Sequence, residues 1–157
     1  DDPAFRAVAR EVSPRPSGVS LCFSAELMRR SAEQRFGFGC WDMPADSGDA
    51  LMVTGMARGS CVEVWNDHCA RQRMPWKRVL LCCVVLSVNG VSGECGLMRR
   101  ELAKSTHAVL VACNPPSLHD ALYLLSAYRT AAPVAAEFRF WSAYVSKGTP
   151  RTDHVFV

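Results

Sequence analysis

The sequence predicts a single α+β domain spanning residues 1–157, and three observations predict it. The run Trp76 to Val88 is too apolar and too rich in β-branched side chains for an exposed helix, and it ends at the turn pair Asn89-Gly90. A second apolar run, Thr106 to Cys113, stops at Asn114-Pro-Pro116. Other segments carry apolar residues at helical spacing, so helices are expected beside the strands. With 157 residues, of which 49% are hydrophobic and 21% charged, the chain can fill one core and is too apolar to stay disordered.

In chain order, residues 4–12 place Phe5, Val8 and Val12 on one helical face before Pro14 and Pro16 stop the helix. Gly18 to Ser24 alternates apolar with small polar side chains, as a strand does. Ser24 can cap a following helix, with Leu27, Met28, Ser31 and Ala32 on one face opposite Arg29, Arg30 and Glu33. Residues 36–60, rich in Gly, Asp, Ser and Pro, read as a surface excursion holding one short strand at Ala50 to Val53. Ser60 to Trp65 alternates again, and a polar turn with His68, Arg71 and Arg73 leads to Pro75.

Trp76 to Val88 is then the expected central strand. Gly96 to Lys104 makes one short helix, and Thr106 to Cys113 a second buried strand. Residues 118–128 fit a helix or a strand equally well. Ala136 to Val145 is strand-like, with Phe138, Phe140, Ser142 and Tyr144 on one side and Glu137, Arg139, Trp141 and Ala143 on the other.

Composition narrows the function classes. The longest strongly apolar run, Val79 to Val88, is about half the roughly 20 residues a membrane-crossing helix needs, so no span is expected. The opening Asp1-Asp2-Pro3, without a charged-then-apolar leader, reads as a processed end. The net charge of +3 comes from scattered basic residues, among them the pairs Arg29/Arg30, Lys77/Arg78 and Arg99/Arg100. Counterion release rewards clustered cations, so the pattern argues against nucleic acid as the partner.

Eight cysteines raise the alternatives of a disulfide framework or a metal site, yet no Cys-x-x-Cys pair occurs. Several lie in strand-like runs, where a free thiol behaves as a small buried hydrophobe. Free thiols in turn suit an intracellular, reducing compartment: cytosol, nucleus or organelle interior.

Three stretches, in order, carry a resemblance. They are Gly18-Val-Ser-Leu-Cys-Phe-Ser-Ala-Glu26 followed by Ser31; Arg78-Val-Leu-Leu-Cys-Cys-Val-Val-Leu-Ser87; and a third made of His107-Ala-Val-Leu110, Leu122 to Arg129 and Ala136-Glu-Phe-Arg-Phe-Trp141. Together they resemble the catalytic domain of poly(ADP-ribose) polymerases, a branch of the ADP-ribosyltransferases, with a core at 18–145. The resemblance implies a split mixed or antiparallel sheet flanked by short helices, and NAD as the cofactor of active members.

The departures from that family pattern bear on function. No His-Gly pair precedes the first strand, and no His occurs before His68. The ring-stacking position falls near Leu21 or Cys22, and the acidic position of chain-elongating members near Leu122. None of these side chains can orient NAD or stabilise an oxocarbenium-like transition state. The resemblance therefore implies a degenerate domain, without cofactor, acting as a non-catalytic structural or interaction module with protein partners in a larger assembly. The alternative it leaves open is a divergent mono-ADP-ribosyltransferase that holds NAD with Gly18, Ser20, Ser24 and Ser31.

Other constellations are thin. Cys113 with His107, His119 and Asp120 could be drawn as a nucleophile site, but a Cys ending an apolar strand is more often core. His68 beside Asp67 and Cys69 suits a solvated turn better than a metal site. Gly90-Val-Ser-Gly93 has the wrong spacing for a nucleophile elbow, and no phosphate-binding Gly-x-x-x-x-Gly-Lys loop occurs. Trp41, in the Gly/Asp-rich excursion, is the expected partner contact, since Trp is enriched at interface hot spots.

Overall fold

A computed structural model describes residues 3, 6, 8, 22–31, 33–44 and 48–134. They form a mixed α+β fold. The strands are β1 (Cys22–Met28), β2 (Phe38–Met43), β3 (Ala50–Met56), β4 (Val84–Val88), β5 (Val91–Ser92) and β6 (His107–Cys113), and the helices are α1 (Cys61–Arg71), α2 (Cys95–Lys104) and α3 (Leu118–Thr130). The strands make one antiparallel sheet in the order β1-β6-β4-β3-β2, with β5 pairing β4.

Period-2 alternation divides the interior into two cores. On one face Phe23, Ala25, Leu27, Leu110 and Ala112 pack against Cys61 and Val62 of α1 and Cys95 and Met98 of α2. On the other, Met43, Met52, Val84, Leu86 and Cys113 pack against Ala121, Leu124 and Leu125 of α3. β4 is buried along its whole length and feeds both cores. A bulge at Leu86 breaks its alternation, which is why Val85 and Val88 both reach the first core.

The expected central strand is central but short. Only Val84–Val88 pairs as a strand; Pro75–Lys77 is a 3₁₀ turn, and Cys82 takes a left-handed φ of 68°. Side chains satisfy the irregular backbone instead. Trp65 Nε1 donates to Lys77 O at 2.8 Å, Asn114 Nδ2 to Arg78 O at 2.6 Å, and Asn66 bonds both backbone groups of Val79. Apolar content marked the run as buried, and burial without a strand partner needed these polar residues from elsewhere in the chain.

Three further expectations are corrected. The helix after Ser24 is instead the rest of β1, because Ala25 and Leu27 continue the buried alternation and all seven residues pair with β6. Residues 36–60 hold a two-strand hairpin, β2–β3, that extends the sheet. Ser60 to Trp65 is not a strand but the start of α1: Ser60 Oγ accepts from Glu63 N, and the Glu63 carboxylate accepts from Gly59 N. That reciprocal cap, Ser-x-x-Glu, outweighs a six-residue alternation.

Other elements match their sequence patterns. Strand β6 and helix α2 fall where expected, and Asn89-Gly90, both at positive φ, turns β4 into β5. The 118–128 stretch is helical: Ser117 Oγ accepts from Asp120 N, and Ala131 closes α3 in the left-handed conformation. Of the N-terminal helix, Arg6 and Val8 are helical, and Val8 is buried in the second core. The remainder of 4–12, residues 18–21 and 136–145 lie outside the described residues, as does Trp141.

Candidate functional site

An open cavity of about 700 Å³ lies where the β2–β3 hairpin meets α2 and the segment after β1. Gly37, Gly39 and Gly55 are among its lining residues. Gly39 and Gly55 face each other across the hairpin, and a bulge beside Gly39 leaves Thr54 unpaired. A Cβ at Gly55 would meet nothing within 4 Å, so the glycine keeps space open. Gly37 is a packing requirement: its φ is +90°, and a Cβ there would lie 1.9 Å from Ser60 Cβ.

Three guanidinium groups line this cavity, from Arg29, Arg35 and Arg99. Arg29 lies over the Phe36 ring at 4.1 Å and donates through Nη2 to Leu102 O at 3.1 Å. Its Nε is buried without a hydrogen-bond partner among the described residues. Arg99 donates to Asp42 Oδ1 at 2.6 Å and to Cys40 O at 2.9 Å, tying α2 to β2. Arg35 is exposed. Neither it nor Arg29 has a carboxylate partner among the described residues.

The remaining walls are apolar: Phe36, Phe38, Met56, Ala57, Leu102 and Ala103. Cys40 also lines the cavity, and burial pushes its thiol up to about 12, against a downward pull from Arg99. The ionisable groups of the lining are thus three permanent cations and one thiol that stays protonated at neutral pH.

The sites expected from sequence fall elsewhere. Gly18, Ser20 and Leu21 lie outside the described residues. Cys22 begins β1 with its Sγ 3.3 Å from Cys113 Sγ, and Ser24 is half-buried opposite Val111. Ser31 is exposed beyond the far end of the same strand, more than about 20 Å along the chain from Cys22. Leu122 is half-buried on α3. The described members of the set are strung out rather than gathered.

Cys113 and His107 occupy opposite ends of β6, His119 is exposed on α3, and Asp120 is buried in the cap of that helix. They do not converge. His68 is exposed with its ring 5.8 Å from that of Trp65, and no cluster of three His, Cys, Asp or Glu that could hold a metal occurs among the described residues. None of the eight cysteines is in a disulfide, and six are buried. Trp41 is half-buried against the second core, edge-on to Tyr128 at 5.5 Å. No helix among the described residues is long and apolar enough to cross a membrane.

Sequence reading missed the three arginines, because Arg99 lies far along the chain from Arg29 and Arg35. The run Arg35-Phe-Gly-Phe-Gly39 was its one local signal, with bare backbone alternating with rings beside a cation. Searches with the sequence match no protein-family model and no curated protein.

Proposed function

We propose that this domain works by binding rather than by turnover, as a non-catalytic structural or interaction module of a larger assembly. The observation that carries this reading is the lining of the 700 Å³ cavity: guanidinium groups, apolar side chains, bare glycine backbone and a thiol pushed up to about 12. General acid–base catalysis needs a group that exchanges protons near the working pH, and nucleophilic catalysis needs an activated one. This lining offers shape and positive charge instead. The sequence resemblance to poly(ADP-ribose) polymerase domains adds a scaffold to the reading, one whose NAD-orienting positions are filled by Leu21, Cys22 and Leu122.

Incubation with NAD tests the proposal. The expected result is nicotinamide release no faster than in protein-free buffer, with no ADP-ribose attached to the chain itself. Release above that background, abolished by plugging the cavity with Gly55→Trp, would establish the divergent transferase in its place.

A further inference from the structure

We infer that the cavity between the β2–β3 hairpin and α2 is a binding site for a small organic anion, one carrying a phosphate or carboxylate head on a flat apolar body. The inference rests on the reading of this cavity as a binding site and names its ligand class. Charge is the first argument. Arg29 and Arg35 from the connection between β1 and β2 and Arg99 from α2 line one space, and only Arg99 is matched, by Asp42, among the described residues. Bringing like charges together costs energy in the empty protein, and a bound anion relieves it.

Arg29 supplies the second argument. Its guanidinium is held in place by the Phe36 face and Leu102 O, so one cation is oriented before any ligand arrives. Its Nε is itself buried, so it is the rest of the guanidinium that can face a ligand, and a guanidinium presents its N–H groups as a fork suited to two oxygens of one head group. Arg35 adds an exposed cation without an ion-pair partner among the described residues.

The third argument is the shape of the remainder. Beside the cations the lining includes the strand backbone at Gly39 and Gly55 and the residues Phe38, Met56 and Leu102. Met56 is 39% exposed, so part of its apolar side chain is open to a ligand in the cavity. A volume of about 700 Å³ falls within the roughly 300–1,000 Å³ typical of small-molecule sites.

The test is calorimetric titration of the full chain with phenyl phosphate, benzyl alcohol and inorganic phosphate. Phenyl phosphate should bind at least about tenfold more tightly than either benzyl alcohol, which lacks the charge, or inorganic phosphate, which lacks the ring. Benzoate in place of phenyl phosphate decides between the two head groups. Arg35→Gln removes an exposed side chain without partners and should leave the melting temperature unchanged while weakening phenyl phosphate about tenfold. Gly55→Trp fills open space and should abolish binding.

Equal affinity for phenyl phosphate and benzyl alcohol, no binding at all, or binding indifferent to both variants would overturn the assignment. The outcome separates from that of the NAD experiment. Nicotinamide release alongside intact phenyl phosphate binding removes only the non-catalytic reading, whereas absence of both removes only this one.

Discussion

Asn66 acts as a missing strand for Val79: its carboxamide oxygen accepts from Val79 N at 2.7 Å and its nitrogen donates to Val79 O at 2.9 Å. Val79 is fully buried, so no water replaces either bond. Asn66→Ala should destabilise the fold by about 2–4 kcal/mol, the cost of two buried backbone groups left unpaired. Urea denaturation reads this as a lower midpoint at unchanged slope. A variant within about 0.5 kcal/mol of the parent would remove Asn66 from the account of this segment.

Two glycines of the hairpin make a paired prediction. At Gly37, left-handed φ and the Ser60 side chain both oppose a methyl group, so Gly37→Ala should cost about 2–4 kcal/mol. At Gly55 an added Cβ meets nothing, and Gly55→Ala should stay within about 1 kcal/mol of the parent. Thermal melts of the two variants give the comparison; similar losses in both would contradict it.

Cys22 and Cys113 are direct cross-strand partners with thiols 3.3 Å apart. Partners of this kind lie within the Cα separation a disulfide accepts. Oxidation with diamide should link them, each thiol losing its hydrogen to the reagent, and Cys113→Ser should abolish that link. Peptide mapping by mass spectrometry without reduction identifies the pair. Bridges found only elsewhere would refute it.

Alkaline pH should weaken the fold through its buried thiols. Burial alone pushes Cys82 from 9.0 up to about 12, and it raises Cys83 in the same direction. Folded, these groups keep protons that the unfolded chain releases from pH 9 upward, so their contribution is complete below pH 9. It is lost as pH rises from 9 to about 12. Stability measured by urea between pH 8 and 11 should fall less steeply in Cys82→Ala than in the parent. Parallel slopes would count against buried, protonated thiols.

These elements also mark what the sequence could and could not disclose. Asn89-Gly90, Asn114-Pro-Pro116 and the apolar run of β6 are local signals, and the fold honours them. The short β4 was not legible because the groups that satisfy the backbone at Arg78 and Val79 without a strand partner are Asn114 and Asn66, far away in the chain. Helix α1 was legible in Ser60 and Glu63, but alternation over six residues concealed it. The candidate cavity was the least visible feature, since its cations come from the connection between β1 and β2 and from the middle of α2.

That dispersal has an evolutionary consequence. The cavity wall includes Arg35, Met56, Arg99 and Ala103, all exposed, beside Phe36, Phe38, Cys40 and Leu102, which also belong to the first core or pack against it. Exchanges at such surface positions typically change stability by no more than about 0.5 kcal/mol. The exposed part of the wall can therefore drift in sequence while the framework is inherited unchanged, whereas Phe36 and its core neighbours cannot.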